Sequence, residues 1–119
     1  MVLILGGFGA GKRAYIQSLG FPDADMSADV RSDAPVLVGL EEIVRNDPEG
    51  AQALLPDLLK KKFVLCCEVG SGVIPIDAAD RAYREATGRL CCALAKEATA
   101  VVRVVAGIPA AIKGELPGV

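Results

Sequence analysis

At 119 residues, 52% of them hydrophobic and 24% charged, the chain has the size and composition of a single compact globular domain over residues 1–119. Its 13 lysines and arginines against 15 aspartates and glutamates leave a net charge of -2, which removes the bulk attraction to phosphate backbones that a nucleic-acid binder relies on. The lack of any histidine excludes His-based triads, His metal ligands and covalent phospho- or nucleotidyl-histidine intermediates.

In chain order, Val2-Leu3-Ile4-Leu5 is a short continuous apolar run of the kind that forms a strand buried on both faces, and the glycines from Gly6 to Gly11 break it. A helix over about Gly11–Leu19 follows. The segment Gly20–Asp33 has turn chemistry and reads as a loop with at most one short strand. Val36-Leu37-Val38 is a second strand, and Leu40, Ile43 and Val44 have helical spacing. Asp47-Pro48 reads as an N-cap with Pro at the first helical position, opening a helix through about Lys61 whose apolar face is Ala51, Leu54, Leu55, Leu58 and Leu59.

Phe63–Cys67 is the third strand, ended by the glycine-rich stretch Val69–Gly72. Asp77 is the expected cap of the longest helix, reaching about Ala98, with Ala79, Ala82, Tyr83, Ala86, Leu90, Ala93 and Leu94 recurring on one stripe. Val101–Val105 is the last expected strand, after which Gly107-Ile108-Pro109 turns the chain into a short tail. Strands alternating with helices predict an α/β fold: a parallel or mostly parallel sheet of four to five strands flanked by helices, with its binding site at the strands' carboxyl ends.

The loop after the first strand, Gly6-Gly7-Phe8-Gly9-Ala10-Gly11-Lys12, fits the G-x-x-x-x-G-K pattern in which backbone N–H groups and a lysine surround a phosphate at a helix N-terminus. Gly6 through Arg13 are therefore the candidate nucleotide-binding residues, with ATP or GTP as cofactor. The eighth position, whose Ser or Thr hydroxyl ordinarily ligates Mg2+, is Arg13, which cannot coordinate a cation. Arg13 either reaches a phosphate oxygen in the metal's stead or marks a site that binds nucleotide without turning it over.

Farther on, Glu68-Val69-Gly70-Ser71-Gly72-Val73-Ile74-Pro75 resembles the E-V-G-x-G-[IV]-[VI]-P segment of the bifunctional adenosylcobinamide kinase / adenosylcobinamide-phosphate guanylyltransferase family of cobalamin biosynthesis. Residues 81–90, Arg81-Ala82-Tyr83-Arg84-Glu85-Ala86-Thr87-Gly88-Arg89-Leu90, are similar to that family's R-x-[FY]-R-[DE]-x-x-G-R-L, and Ala106-Gly107-Ile108-Pro109 through Lys113-Gly114 to its closing A-G-[IL]-P-x-x-[IL]-K-G. With the N-terminal GG-x-x-x-GK, the motifs stand in the family's order and cover about half of the chain. The resemblance implies a P-loop NTPase-like fold, γ-phosphate transfer from a nucleoside triphosphate to the aminopropanol hydroxyl of adenosylcobinamide, then GMP transfer, and a homo-oligomer, with trimers expected. It makes a corrinoid a candidate substrate beside the nucleotide.

The departures are specific. The family's GMP-accepting histidine lies in a segment shortened here to Gly20–Asp33, and the chain has none, so guanylyl transfer by that route is excluded. Gly39 occupies the acidic position of the family's Asp-Cys-Leu-type strand end. Cys67 stands where the family has Asn, and Cys91-Cys92 where it has Asn-Gln.

Lys12 is the expected stabiliser of charge on a transferring phosphoryl group. Glu68, ending a strand at the carboxyl edge of the sheet, is the expected positioning carboxylate, by way of a metal or the acceptor hydroxyl. No dedicated protein metal site is expected. Arg81, Arg84 and Arg89 either meet phosphates or pair with the acids on their helix. Of the vicinal pairs Cys66-Cys67 and Cys91-Cys92, at most one member of each can converge on the other pair, because successive strand residues point to opposite faces and helix residues diverge. Vicinal thiols, the lack of an apolar run of roughly 18 residues and an N-terminus without a basic lead-in predict a soluble, cytoplasmic protein without a membrane segment. The function expected is that of a nucleotide-binding protein of this kind, kinase-like if active; the alternative is a non-catalytic nucleotide-sensing or partner-binding homologue.

Overall fold

The computed structural model describes residues 1–68 and 77–118. Six strands, β1 (Val2–Gly6), β2 (Met26–Ser27), β3 (Val36–Leu37), β4 (Phe63–Cys67), β5 (Ala100–Val105) and β6 (Ile108–Lys113), form one sheet in the order β2-β3-β4-β1-β5-β6. Among the described residues four α-helices accompany them: α1 (Lys12–Ser18), α2 (Leu40–Asn46), α3 (Leu55–Leu58) and α4 (Ala78–Glu97). The expected α/β fold with a mostly parallel sheet and flanking helices is present, and the sheet has one strand more than the sequence pattern predicts.

β1 lies at the centre, parallel to β4 on one side and to β5 on the other, with Val2 opposite both Phe63 and Ala100. Its apolar run is continuous because both faces of the sheet are covered, and each face has its own core. Leu3, Val64 and Cys66 face the layer that holds Leu90 and Leu94 of α4 together with Leu40 and Val44 of α2. Ile4, Phe63 and Leu65 face Ile16 of α1, beside Val36 and Val104.

The extra strand, β6, pairs antiparallel with β5, with Val104 opposite Pro109 and Val105 opposite Ile108. Ala106 and Gly107 both take positive φ, 50° and 78°, the tight two-residue turn that matches strand twist. The expected short tail is therefore a hairpin. Pro109 is tolerated because β6 is the sheet's edge, where a missing N–H breaks no ladder.

The helix expected from Asp47-Pro48 to Lys61 is not continuous. A 3-10 turn over Ala51–Leu54 leads into the single turn of α3, and the Asp47 carboxylate accepts the N–H of Gly50 at 3.1 Å, closing a local turn instead of capping a helix. Gly50 and Pro56 both weigh against a longer helix. Its apolar residues reach the core all the same, with Ala51 and Leu58 buried and Leu54, Leu55 and Leu59 packed beside them.

α4 starts as its sequence predicts: the Asp77 side chain accepts the N–H of Asp80 at 2.7 Å. Its buried stripe is Tyr83, Thr87, Leu90 and Leu94, with Ala86 and Cys91 packed against it. Ala79 and Ala82 are exposed, so the stripe is rotated from the alanine-rich one expected. Thr87 belongs to the stripe because its hydroxyl donates to the carbonyl of Tyr83 at 2.8 Å.

Candidate functional site

The carboxyl ends of β1, β3 and β4 open onto a cleft of about 900 Å³. One wall is the loop between β1 and α1: Phe8, Gly9, Ala10, Gly11, Lys12 and Arg13 all face it. The other is the start of α2, with Gly39, Glu41 and Glu42, and the floor is made by Val38, Leu65 and Cys67.

The loop is shaped by its glycines and its neighbours. Gly11 precedes α1 with φ 97°, a conformation that costs an L-residue about 1–2 kcal/mol, and a Cβ there would lie 3.1 Å from the Cα of Gly107. The Gly107 N–H donates to the carbonyl of Ala10 at 2.8 Å, which ties the loop to the β5–β6 turn. Ala10 N–H closes back on the Gly7 carbonyl at 3.1 Å. Phe8 is 99% exposed at the loop's tip.

Lys12 lies half-buried in the first turn of α1. Its ammonium donates to the carbonyls of Gly6 and Gly7 at 3.1 and 2.9 Å and to the sulfur of Cys67 at 3.3 Å. All three of its N–H donors are thus used, and the charge is held at the junction of the loop and the end of β4. Of the sequence-derived candidates, Gly6 and Gly7 support Lys12 from beneath, and Phe8 through Arg13 face the cleft. Arg13 is exposed there.

Glu68 is not in this group. Its carboxylate is held by the Arg103 guanidinium through a two-point pair, Nε to Oε1 at 2.7 Å and Nη2 to Oε2 at 3.0 Å. Alternation explains the separation: Arg103 shares its sheet face with Val101, the face that α4 covers, whereas Leu65 and Cys67 face the cleft.

Of the carboxylates that line the cleft, Glu41 on the α2 wall is one that sequence reasoning missed. Its Oε1 accepts the backbone N–H of Cys67 at 2.8 Å, fastening the first turn of α2 to the end of β4. The signal available was an acid two residues beyond Gly39, a spacing that gains meaning only once β3 and β4 are known to be neighbours. On α4, Arg84 pairs with Asp80 at 3.0 Å, the intrahelical alternative anticipated for it.

The described residues do not gather a ready set of ligands for a protein-held magnesium. Among the described residues no three His, Cys, Asp or Glu side chains stand together as a cation site. Also among them, no helix is long and apolar enough to cross a membrane. The glycine-rich segment that follows Glu68, Val69 to Ile76, lies outside the described residues.

Compared with known proteins, residues 37–112 match the family model described as cobinamide kinase / cobinamide phosphate guanyltransferase. That range is more than half of the chain, and it begins after the phosphate-type loop. No curated protein matches the chain.

Proposed function

The chain belongs to the cobinamide kinase / cobinamide phosphate guanyltransferase family, a nucleotide-binding family of cobalamin biosynthesis, and from that premise we propose that it binds the phosphates of ATP or GTP at Gly6–Arg13. The observation that carries the reading is Lys12: a fixed ammonium in the first turn of α1, behind a glycine loop, at the edge of a cleft large enough for a nucleotide. When phosphate arrives, the ammonium exchanges a loop carbonyl or the Cys67 sulfur for a phosphate oxygen, a stronger charge-assisted bond. Arg13, free of any metal-binding capacity, supplies a second cation from the same helical turn.

Phosphoryl transfer to a hydroxyl of cobinamide is the activity this arrangement suits, with Lys12 stabilising charge on the transferring group. Guanylyl transfer through a histidine has no residue to carry it. Exposed Val105, Ile108 and Ile112 on the β5–β6 edge suit a homo-oligomer, as the family resemblance implies. Incubation with adenosylcobinamide and γ-labelled GTP or ATP tests the kinase: label in the corrinoid supports it, and unlabelled corrinoid with intact nucleotide refutes it.

A second reading, nucleotide binding without turnover, is favoured by one observation. Glu68, the acid expected to position the acceptor, is already spent on Arg103. Saturable nucleotide binding with no transfer to cobinamide is the outcome that selects it.

A further inference from the structure

Cys66 and Cys91 come from different elements and meet across the α4 face of the sheet. Cys66 is fully buried near the end of β4, Cys91 is half-buried in the middle of α4, and their sulfurs are 3.7 Å apart with Cys91 donating to Cys66. Their vicinal neighbours take other paths: Cys67 faces the cleft beneath Lys12, and Cys92 is exposed. The nucleotide site uses neither Cys66 nor Cys91.

We propose that Cys66 and Cys91 form a reversible dithiol–disulfide couple, a modification site oxidised by hydroperoxides. A disulfide needs its sulfurs at about 2.05 Å, so the pair closes by less than about 2 Å, a displacement that side-chain rotation and a small shift of α4 can supply. When Cys91 ionises, the Cys66 S–H turns to donate to it; that bond, and then burial, push the Cys66 thiol up, and the same bond pulls the Cys91 thiol down. Cys91, which is also the solvent-reachable member, is the nucleophile.

The Cys91 thiolate attacks one oxygen of hydrogen peroxide, the O–O bond breaks and hydroxide leaves to become water, so Cys91 becomes a sulfenic acid. The Cys66 sulfur then attacks the Cys91 sulfur, an S–S bond forms, the S–O bond breaks and a second water leaves with the Cys66 proton. Two thiols have lost two electrons, and one peroxide has been reduced to two waters. Burial of Cys66 beside its partner makes the second step intramolecular, which protects Cys91 from further oxidation. A low-molecular-weight thiol reverses the couple. The proposal stands apart from the nucleotide reading, because it needs only the packing of β4 on α4.

The test treats the full chain with dilute hydrogen peroxide, blocks remaining thiols with an alkylating agent under denaturing conditions and measures intact mass. The expected result is that only two of the four cysteines are alkylated, with a loss of about 2 Da for the bond, restored by dithiothreitol. Trypsin then releases segments 63–81 and 90–96 joined by one disulfide. The cross-link persists in Cys67→Ser and Cys92→Ser and disappears in Cys91→Ser. Since Cys66→Ser places a hydroxyl in the core and invites unfolding, the Cys91→Ser result is decisive, its fold checked by circular dichroism. Four alkylated cysteines, a gain of about 32 Da from a sulfinic acid without a cross-link, or a link that survives Cys91→Ser would each overturn the proposal.

Discussion

On the cleft side of β4, Leu65 and Cys67 look toward the glycine loop; on the α4 side, Val64 and Cys66 look toward Leu90 and Leu94. The α4 side is chiefly a packed apolar layer that includes the Cys66–Cys91 contact. The cleft side is held by directed bonds: the Lys12 ammonium on two carbonyls and a sulfur, and the Glu41 carboxylate on the Cys67 N–H. One strand thus serves packing with one set of side chains and positions charge with the other. The difference teaches that damage on the two faces should separate, with loss of stability on one and loss of ligand affinity on the other.

The sharpest break is Leu90→Ala. Leu90 is fully buried between α4 and the sheet, so truncation should cost about 2–5 kcal/mol in transfer and cavity terms. Denaturant titration should show the loss, while nucleotide affinity of the folded fraction stays unchanged. A loss of affinity without a loss of stability would mean that the faces are not separable.

On the other side, Gly11→Ala should cost about 1–2 kcal/mol, since its φ of 97° disfavours any side chain. Unlike Leu90→Ala, it should also weaken nucleotide binding, because the new Cβ presses on Gly107 and shifts the loop. Equal affinity of variant and parent for GTP would contradict that.

The smallest effect belongs to Glu68→Gln. The pair with Arg103 is half open to solvent on the arginine side, with 51% of that side chain exposed, and such pairs contribute at most about 1 kcal/mol. Chemical denaturation should barely register the change, and GTP affinity should hold within about twofold. A tenfold loss of affinity would return Glu68 to the site.

How far these features could be read beforehand depends on how local their physics is. β4 was legible residue for residue, because Phe63–Cys67 is an unbroken apolar run between lysines and a glycine-rich stretch. The Asp77 cap was equally plain, since a capping carboxylate acts within three residues. β6 was not legible, because Ala106 carries no turn signature and Pro109 argues against a strand until the hairpin is known to lie at an edge. The glycine loop and Lys12 announced themselves through spacing. Glu41 did not, because its role comes from a bond to Cys67, 26 residues away. For Glu68 the motif is visible but the pairing with Arg103 is not, because a place in a motif says nothing about which face of the sheet the carboxylate takes.

Everything on the cleft side depends on Lys12 and the loop before it binding phosphate. Calorimetric titration of the parent and of Lys12→Ala with GTP and with ATP, each with and without magnesium, tests it most directly. The expected result is saturable binding that falls at least about tenfold in the variant, the cost of losing one charge-assisted bond of roughly 1.5–3 kcal/mol. Equal affinity in parent and variant, or no binding of either nucleotide to the parent, would contradict it.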